Sequence, residues 1–292
     1  MTSRRDFRGA DDLRAMQRLV QRLWTVDSNW HIGDLAWQRR TVPGVESTWR
    51  TSLWEDNGET VAWGWVELPG HLSLVTDVSR LELAADVIAW FEEVASAPEL
   101  TCSVLETEVH LTAALESAGY RADVEAPFVT HHHRSLASVA VPSCPDGYLL
   151  RHVRPDEAER RSAGHRATWS DFGSTLSADT YQSVMNAWPY RHELDWVVED
   201  HDGNFVSTSL AWLDEANKVG LIEPVGTDPA HRRRGLATAV NLAALTALRD
   251  AGATQAIVNP RGDPAYPVAA KLYQSIDFHP CPQTTTYKKN HT

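Results

Sequence analysis

Cysteine is scarce. Cys102, Cys144 and Cys281 are the three in 292 residues, odd in number and too far apart for a zinc-type pair. That argues against a disulfide framework and for a reducing, cytoplasmic setting. No apolar run approaches the roughly 18 residues a membrane helix needs. The first residues, Met1 to Asp6, lead into an amphipathic stretch without an apolar core, so neither a signal peptide nor a membrane partner is expected. Basic charge is also short, with 27 Lys and Arg against 39 Asp and Glu, net −12. The deficit is concentrated: residues 1–146 hold 12 basic and 22 acidic residues, and residues 147–292 hold 15 and 17. Nucleic acid is therefore not an expected partner, because phosphate binding needs a basic footprint. An acidic surface fits a cationic substrate drawn in by the field, and equally fits solubility alone.

What is present reads as a soluble α/β chain. Hydrophobic residues make up 42% and charged residues 23%, and the length accommodates two domains of about 140 residues. Eight of the twelve tryptophans precede residue 140, a stock of aromatic area for cores, for a domain interface or for a pocket wall. The stretch 137–147, Ala-Ser-Val-Ala-Val-Pro-Ser-Cys-Pro-Asp-Gly, has linker composition. On either side of it the same order of elements is predicted. In the first half a helix over Asp11–Trp24 precedes strands over Thr48–Glu55, Thr60–Leu68 and His71–Val78. A helix at Leu81–Ser96, a strand at Leu100–Leu105 and a helix at Val109–Ala118 follow, with strands to Arg134. In the second half a strand at Tyr148–Val153 precedes a helix opened by Pro155-Asp156-Glu157 and another at Ala178–Trp188. Strands at Asp195–Glu199, Phe205–Trp212 and Val219–Thr227 lead to a long helix at Gly235–Ala251. A strand at Thr254–Val258, a helix at Ala265–Ser275 and a strand at Thr284–Lys288 complete it. The hairpins align at an offset of about 145 residues, and Gly119-Tyr120 aligns with Asp277-Phe278, which points to a tandem duplication. The expected division is 1–136, a linker at 137–147, and 148–292.

One segment carries specific chemistry: Val225-Gly226-Thr227-Asp228-Pro229-Ala230-His231-Arg232-Arg233-Arg234-Gly235-Leu236-Ala237-Thr238. It joins a strand to a helix whose start is a glycine. Free amides at a helix N-terminus, with the helix dipole behind them, suit an anion such as a pyrophosphate, and arginines add charge to phosphate oxygens. No Gly-Lys-Ser/Thr follows, and three spaced glycines are missing, so hydrolase-loop and dinucleotide fingerprints do not apply.

The spacing Arg232-x-x-Gly235-x-Ala237 resembles the signature of the GNAT acetyltransferase superfamily. The resemblance implies a mixed, mainly antiparallel sheet flanked by helices, present here as two tandem copies. It implies that the amides from Arg232 through Arg233, Arg234, Gly235, Leu236 and Ala237 to Thr238 hold the pyrophosphate of acetyl-CoA. It implies further that the backbone around Val225, Gly226 and Thr227 pairs with the pantetheine arm, as a sheet edge captures a peptide. Asn259 matches a position that bonds the pantetheine or orders its loop. The first half has His71–Val78 followed by Ser79-Arg80-Leu81-Glu82-Leu83 and lacks the motif, so a degenerate copy and one coenzyme site per chain are expected.

Acetyl transfer needs a neutral amine, a polarised thioester and a proton for the leaving thiolate. Glu223, two residues before Val225, is the candidate base, directly or through water; a lining carboxylate is the alternative. Tyr273 resembles a family tyrosine that protonates the thiolate, a transfer that needs a preorganised hydrogen bond because the phenol's ordinary pKa, about 10, lies above the thiol's. The aromatic loop Trp30-His31-Ile32-Gly33-Asp34-Leu35-Ala36-Trp37 is a candidate lid or interface, with Trp30, His31 and Asp34 as substrate contacts. His131-His132-His133 alternates across a strand and has no acidic or Cys neighbour, so no metal is expected. The predicted function is acetyl transfer from acetyl-CoA to the amine of a small, cationic molecule such as an amino sugar, polyamine or antibiotic. A longer acyl group, or one borne by an acyl carrier protein, is the alternative donor, and a non-catalytic acyl-CoA-binding regulator is the alternative of another class.

Overall fold

A computed structural model of the protein describes residues 2–41, 48–262 and 267–291. The first half contains β1 (Ser3–Asp6), α1 (Ala10–Leu23), α2 (Ile32–Arg40), β2 (Trp49–Asp56), β3 (Glu59–Glu67), β4 (His71–Thr76), α3 (Glu82–Val94), β5 (Glu99–Leu105), α4 (Val109–Ser117), β6 (Arg121–Ala122) and β7 (Thr130–Ser135). The second contains β8 (Leu149–His152), α5 (Ala158–Thr168), α6 (Ala178–Met185), β9 (Asp195–Glu199), β10 (Phe205–Asp214), β11 (Val219–Thr227), α7 (Leu236–Asp250), β12 (Gln255–Val258), α8 (Val268–Gln274) and β13 (His279–Asn290). The expected start of the last helix, Ala265, lies outside the described residues.

Local chemistry sets these elements. The β2–β3 hairpin turns through Asn57 and Gly58, both at positive φ (51° and 82°), the geometry that matches the twist of its strands. Gly119 and Asp277 occupy the same left-handed cap (φ 89° and 64°). In each, an amide reaches back over the last turn: Tyr120 N to Leu115 O at 3.0 Å, and Phe278 N to Tyr273 O at 3.0 Å. Asp277 takes the conformation despite its Cβ, a tolerance that Asn and Asp have and bulky residues lack.

The strands form one mixed sheet in the order β1-β2-β3-β4-β5-β13-β7-β12-β11-β10-β9-β8, with β6 beside β13. The pairs β4–β5 and β11–β12 are parallel. The order reads as two copies back to back: β1 to β5 then β13, mirrored by β8 to β12 then β7. Each half therefore receives its sixth strand from the end of the other. β7 pairs with β12, and β13 pairs with β5 and with β7. This explains why β13 runs over His279–Asn290 and not the Thr284–Lys288 expected. Its first part, His-Pro-Cys-Pro, reads poorly as strand but lies against β7, and Thr284–Asn290 lies against β5.

The segment expected to be an aromatic loop is largely the helix α2, whose position between the halves masks its helical periodicity. Ile32 and Leu35 enter the first-half cluster with Leu19, Trp63 and Trp65, while Ala36 enters a cluster with Leu210, Trp212, Leu221 and Ile257 of the second half. A helix buried on two sides shows no single apolar stripe. β1 was also not anticipated; its polar residues are held by Arg5, which pairs with Asp12 and Glu55 at 2.7 Å. No helix among the described residues is long and apolar enough to cross a membrane.

Candidate active site

The site grows from a divergence of two parallel strands. β11 and β12 are in register only at Val219, Gly220 and Leu221; beyond Leu221 they part, and among the described residues no strand covers the β12-facing edge of β11. At the same point the β10–β11 ladder shifts. Ser209 pairs with Val225 and Ala211 with Ile222, so Leu210 faces both Glu223 and Pro224. Such a bulge bends a strand and re-aims its side chains. The indole Nε1 of the buried Trp212 donates to Glu223 O at 2.7 Å and holds the bulge in place.

Past the bulge, Gly226 is required by contact. A Cβ there would lie 2.8 Å from Thr168 Cβ and 2.9 Å from Trp169 Nε1, so glycine lets the end of α5 close on β11. Thr227 Oγ1 shares a hydrogen bond with Ser207. The chain then turns at Asp228, whose side chain accepts from Ala230 N at 2.8 Å. Arg233 and Gly235 follow at positive φ (60° and 80°). Gly235 precedes α7 with no side-chain cap. The first intrahelical bond is Ala239 N to Gly235 O, so the amides of Leu236, Ala237 and Thr238 point out of the helix end. A Cβ on Gly235 would meet nothing within 4 Å, so the helix start is open on that side. Arg232 is drawn aside, donating to Thr227 O at 3.1 Å and pairing with Asp171 at 2.7 Å. Arg234 reaches the Tyr148 hydroxyl at 3.1 Å. Arg233 is exposed.

Two features fit an extended polar ligand laid along this path. The unpaired edge of β11 leads toward the open helix end, and Asn259, directly after β12, keeps a buried Oδ1 that no hydrogen bond satisfies among the described residues. A buried acceptor without a donor is costly, and a ligand amide would supply one. Tyr273 on α8 is buried, its ring edge-on to Phe278 at 5.8 Å.

The carboxyl of Glu223 does not stand alone. It is hydrogen-bonded to the carboxyl of Asp34, from α2 of the first half. Burial pushes both upward, Asp34 well above the usual range because the charge of Glu223 adds to its burial, while the bond from Asp34 holds Glu223 back. The backbone of Asp34 is fixed by a capping box, in which Gly33 N donates to His31 Nδ1 at 3.0 Å and His31 N donates to Asp34 Oδ2 at 2.7 Å. His31 is fully buried, and burial brings its pKa down to about 4 against the pull of Asp214. Trp30, in contrast, packs on Trp63 and Trp65 of the first half, at 5.3 and 6.4 Å. The spacing His31-x-x-Asp34 is the signal that could have revealed this helix start. Reasoning from sequence also missed a row of rings beside Gly226: Trp37, His165, Trp169 and Phe172, at successive centroid distances of 5.5, 5.7 and 5.4 Å.

Residues 162–278 match the model of the acetyltransferase (GNAT) family. That segment of the second half is a GNAT-family domain. Among curated proteins none matches. Among solved structures, a tandem GNAT protein from the clavulanic acid biosynthesis pathway superposes with a TM-score of 0.67 at 14% identity, covering 100% of this chain and 99% of its own. A GCN5-related N-acetyltransferase from Sphaerobacter thermophilus gives 0.63 at 18% identity, covering 99% and 95%. An acetyltransferase of the GNAT family from Colwellia psychrerythraea gives 0.62 at 12%, covering 98% and 99%. These likenesses extend the GNAT fold over both halves. The chain shares the tandem fold of these structures, and its match to the family model lies within the second half. Among the described residues no group of three His, Cys, Asp or Glu could hold a metal ion.

Proposed function

We propose that the protein transfers an acetyl group from acetyl-CoA to the primary amine of a small cationic molecule, at one site in the second half. The observation that carries this reading is the continuity of the path: a strand edge freed at Leu221, an orphaned Asn259 Oδ1, and an uncapped helix start behind Gly235. The amides from Arg232 to Thr238 hold the pyrophosphate, with Arg233 the arginine free to lean on it. The backbone from Val225 to Thr227 takes the pantetheine arm, and Asn259 an amide of it. Acetyl-CoA supplies the activated acyl group. Glu223 accepts the ammonium proton, directly or through water, and Tyr273 gives a proton to the departing sulfur.

The register of the two halves supports the role of Tyr273. The matched caps align it with Leu115 of the first half, so the phenol occurs in the half that has the motif. The first half is a degenerate copy that supports the site. The acidic balance favours an amino sugar, polyamine or antibiotic-like amine.

Calorimetric titration of acetyl-CoA into wild type and Gly235→Glu tests the proposal. One-to-one binding lost in the variant is expected, since the new carboxylate would stand on the open side of the helix start. An unbound wild type would overturn the acetyl-CoA reading, and titration with an acylated carrier protein would then test the alternative donor.

A further inference from the structure

The bond between Asp34 and Glu223 joins the two halves of the chain at the reacting centre. Three contacts fix its geometry. Gly33 lies so close to Trp212 that an added Cβ would fall 2.4 Å from Trp212 Cβ and Cγ, which seats α2 on β10 at one register. Trp212 in turn holds the Glu223 carbonyl. The capping box fixes the turn of α2 that carries Asp34. Both carboxyls are therefore held from the backbone outward, one on each side of the interface, and two carboxyls in hydrogen-bond contact share one proton.

Resting on the reading above, we propose that Asp34 is a positioning residue for the acceptor site: as a neutral acid it donates to Glu223, and the pair, carrying one negative charge, receives the substrate as a primary ammonium. On binding, an N–H of the ammonium faces the Glu223 carboxylate. The proton moves to Glu223, leaving a neutral amine and two protonated carboxyls. The amine nitrogen then forms the N–C bond to the acyl carbon as the C–S bond breaks. The thiolate takes a proton originating on that nitrogen, and Glu223 returns its proton to solvent. The products are an amide, a free thiol and one proton. A single-charge receptor favours a monoammonium group at the reacting end over a neutral amine. It also makes the first half a contributor of chemistry to the second.

Other charged groups on α2 and the elements packed against it face other partners: Arg39 of α2 lies over Trp65, and Arg14 of α1 over Trp188. His31 faces Asp214; Asp214 takes Gln21 and Asn217; His165 lies between Trp37 and Trp169; Arg40 reaches Ser183 on α6. Glu223 is the charge that Asp34 meets.

The test uses the full chain with acetyl-CoA and a panel of primary amines. Asp34→Ala is expected to lower kcat/KM for the amine by about 30- to 100-fold. It should move the acidic limb of the profile to higher pH, because Glu223 loses its donor, with acetyl-CoA affinity unchanged. Asp34→Asn, which still donates to Glu223 and still accepts from His31 N, should restore both to within about fivefold of wild type. If Asp34→Asn restores activity but Asp34→Ala leaves the acidic limb unmoved, Asp34 only caps the helix; if Ala and Asn are equally impaired, donation to Glu223 is not its role; and if both match wild type it does nothing. Each of these results overturns the proposal. Should Asp34→Ala fail to fold, infrared difference spectra decide: a protonated-carboxyl C=O band at neutral pH must be present in wild type and absent in Asp34→Asn. An active wild type with any of these negative results overturns this inference alone; a wild type that binds no acetyl-CoA overturns the parent reading.

Discussion

The two halves make the same turn and then part ways. In the first, Asp77 N donates to Val61 O and Arg80 N to Asp77 O; in the second, Asp228 N donates to Val206 O and His231 N to Asp228 O. After that shared turn the first half places one residue, Leu81, before α3, whereas the second places four, Arg232 to Gly235, before α7. Leu81 is in ordinary helical conformation (φ −61°); the longer segment passes twice through positive φ. The β3–β4 ladder runs from Ala62↔Thr76 to Glu67↔His71 without a shift, and its counterpart carries the bulge at Glu223. Leu115 stands where the second half has Tyr273. The gap beyond the β4–β5 pairing opens instead on a cavity of about 210 Å³ lined in part by Thr76, Trp30 and Glu108. Burial pushes Glu108 up to about 7. One loop insertion, one bulge and one phenol distinguish the second half from the first.

Erasing the insertion should have the largest effect. Deleting Arg232, Arg233 and Arg234 gives the second half the first half's connection, and acetyl-CoA binding should fall at least 100-fold by calorimetry, with the thermal transition retained. Tyr273→Leu installs the first-half residue. A loss in kcat of about 10²-fold or more is expected, the scale of a removed general acid, with the Kd for acetyl-CoA within a few-fold; unchanged kcat would return Tyr273 to the core. Gly33→Ala tests the seating of α2 on Trp212. Overpacking of this kind costs about 1–3 kcal/mol, so the midpoint of denaturation should drop, and turnover should fall with it. The smallest effect concerns pH. His31, lowered to about 4 by burial, is neutral in the fold. Its folded pKa lies below the unfolded value, so its contribution is full above about 6.5 and is lost as pH falls toward 4. His31→Gln should flatten that part of the stability curve, read from denaturation midpoints at successive pH values.

The elements with strong local signals were legible from sequence. The Asn57-Gly58 turn, the periodic helix α1 and the Arg232-x-x-Gly235-x-Ala237 spacing each encode a short-range constraint, and each is where the residues put it. What was not legible depends on distant partners. α2 owes half of its burial to strands almost 200 residues away, and the fate of β13 depends on three strands of the first half. The bulge at Glu223 is equally silent, since its cause is a mismatch of two ladders. Asp34 could be named as a candidate, but its carboxyl partner appears only when the halves are docked.

The exchange of terminal strands imposes an order on synthesis. By the time β7 has left the ribosome, β1 to β5 are complete, yet β5 has no neighbour on its outer side. It waits for His279–Asn290, well over a hundred residues later, which at about 5–20 residues per second is a delay on the order of ten seconds. Throughout that interval an open edge strand is available to any other extended chain. A nascent chain stalled before residue 279 would leave that edge open for as long as the stall lasts, and such products should be recognisable by their capture in aggregates or by chaperones.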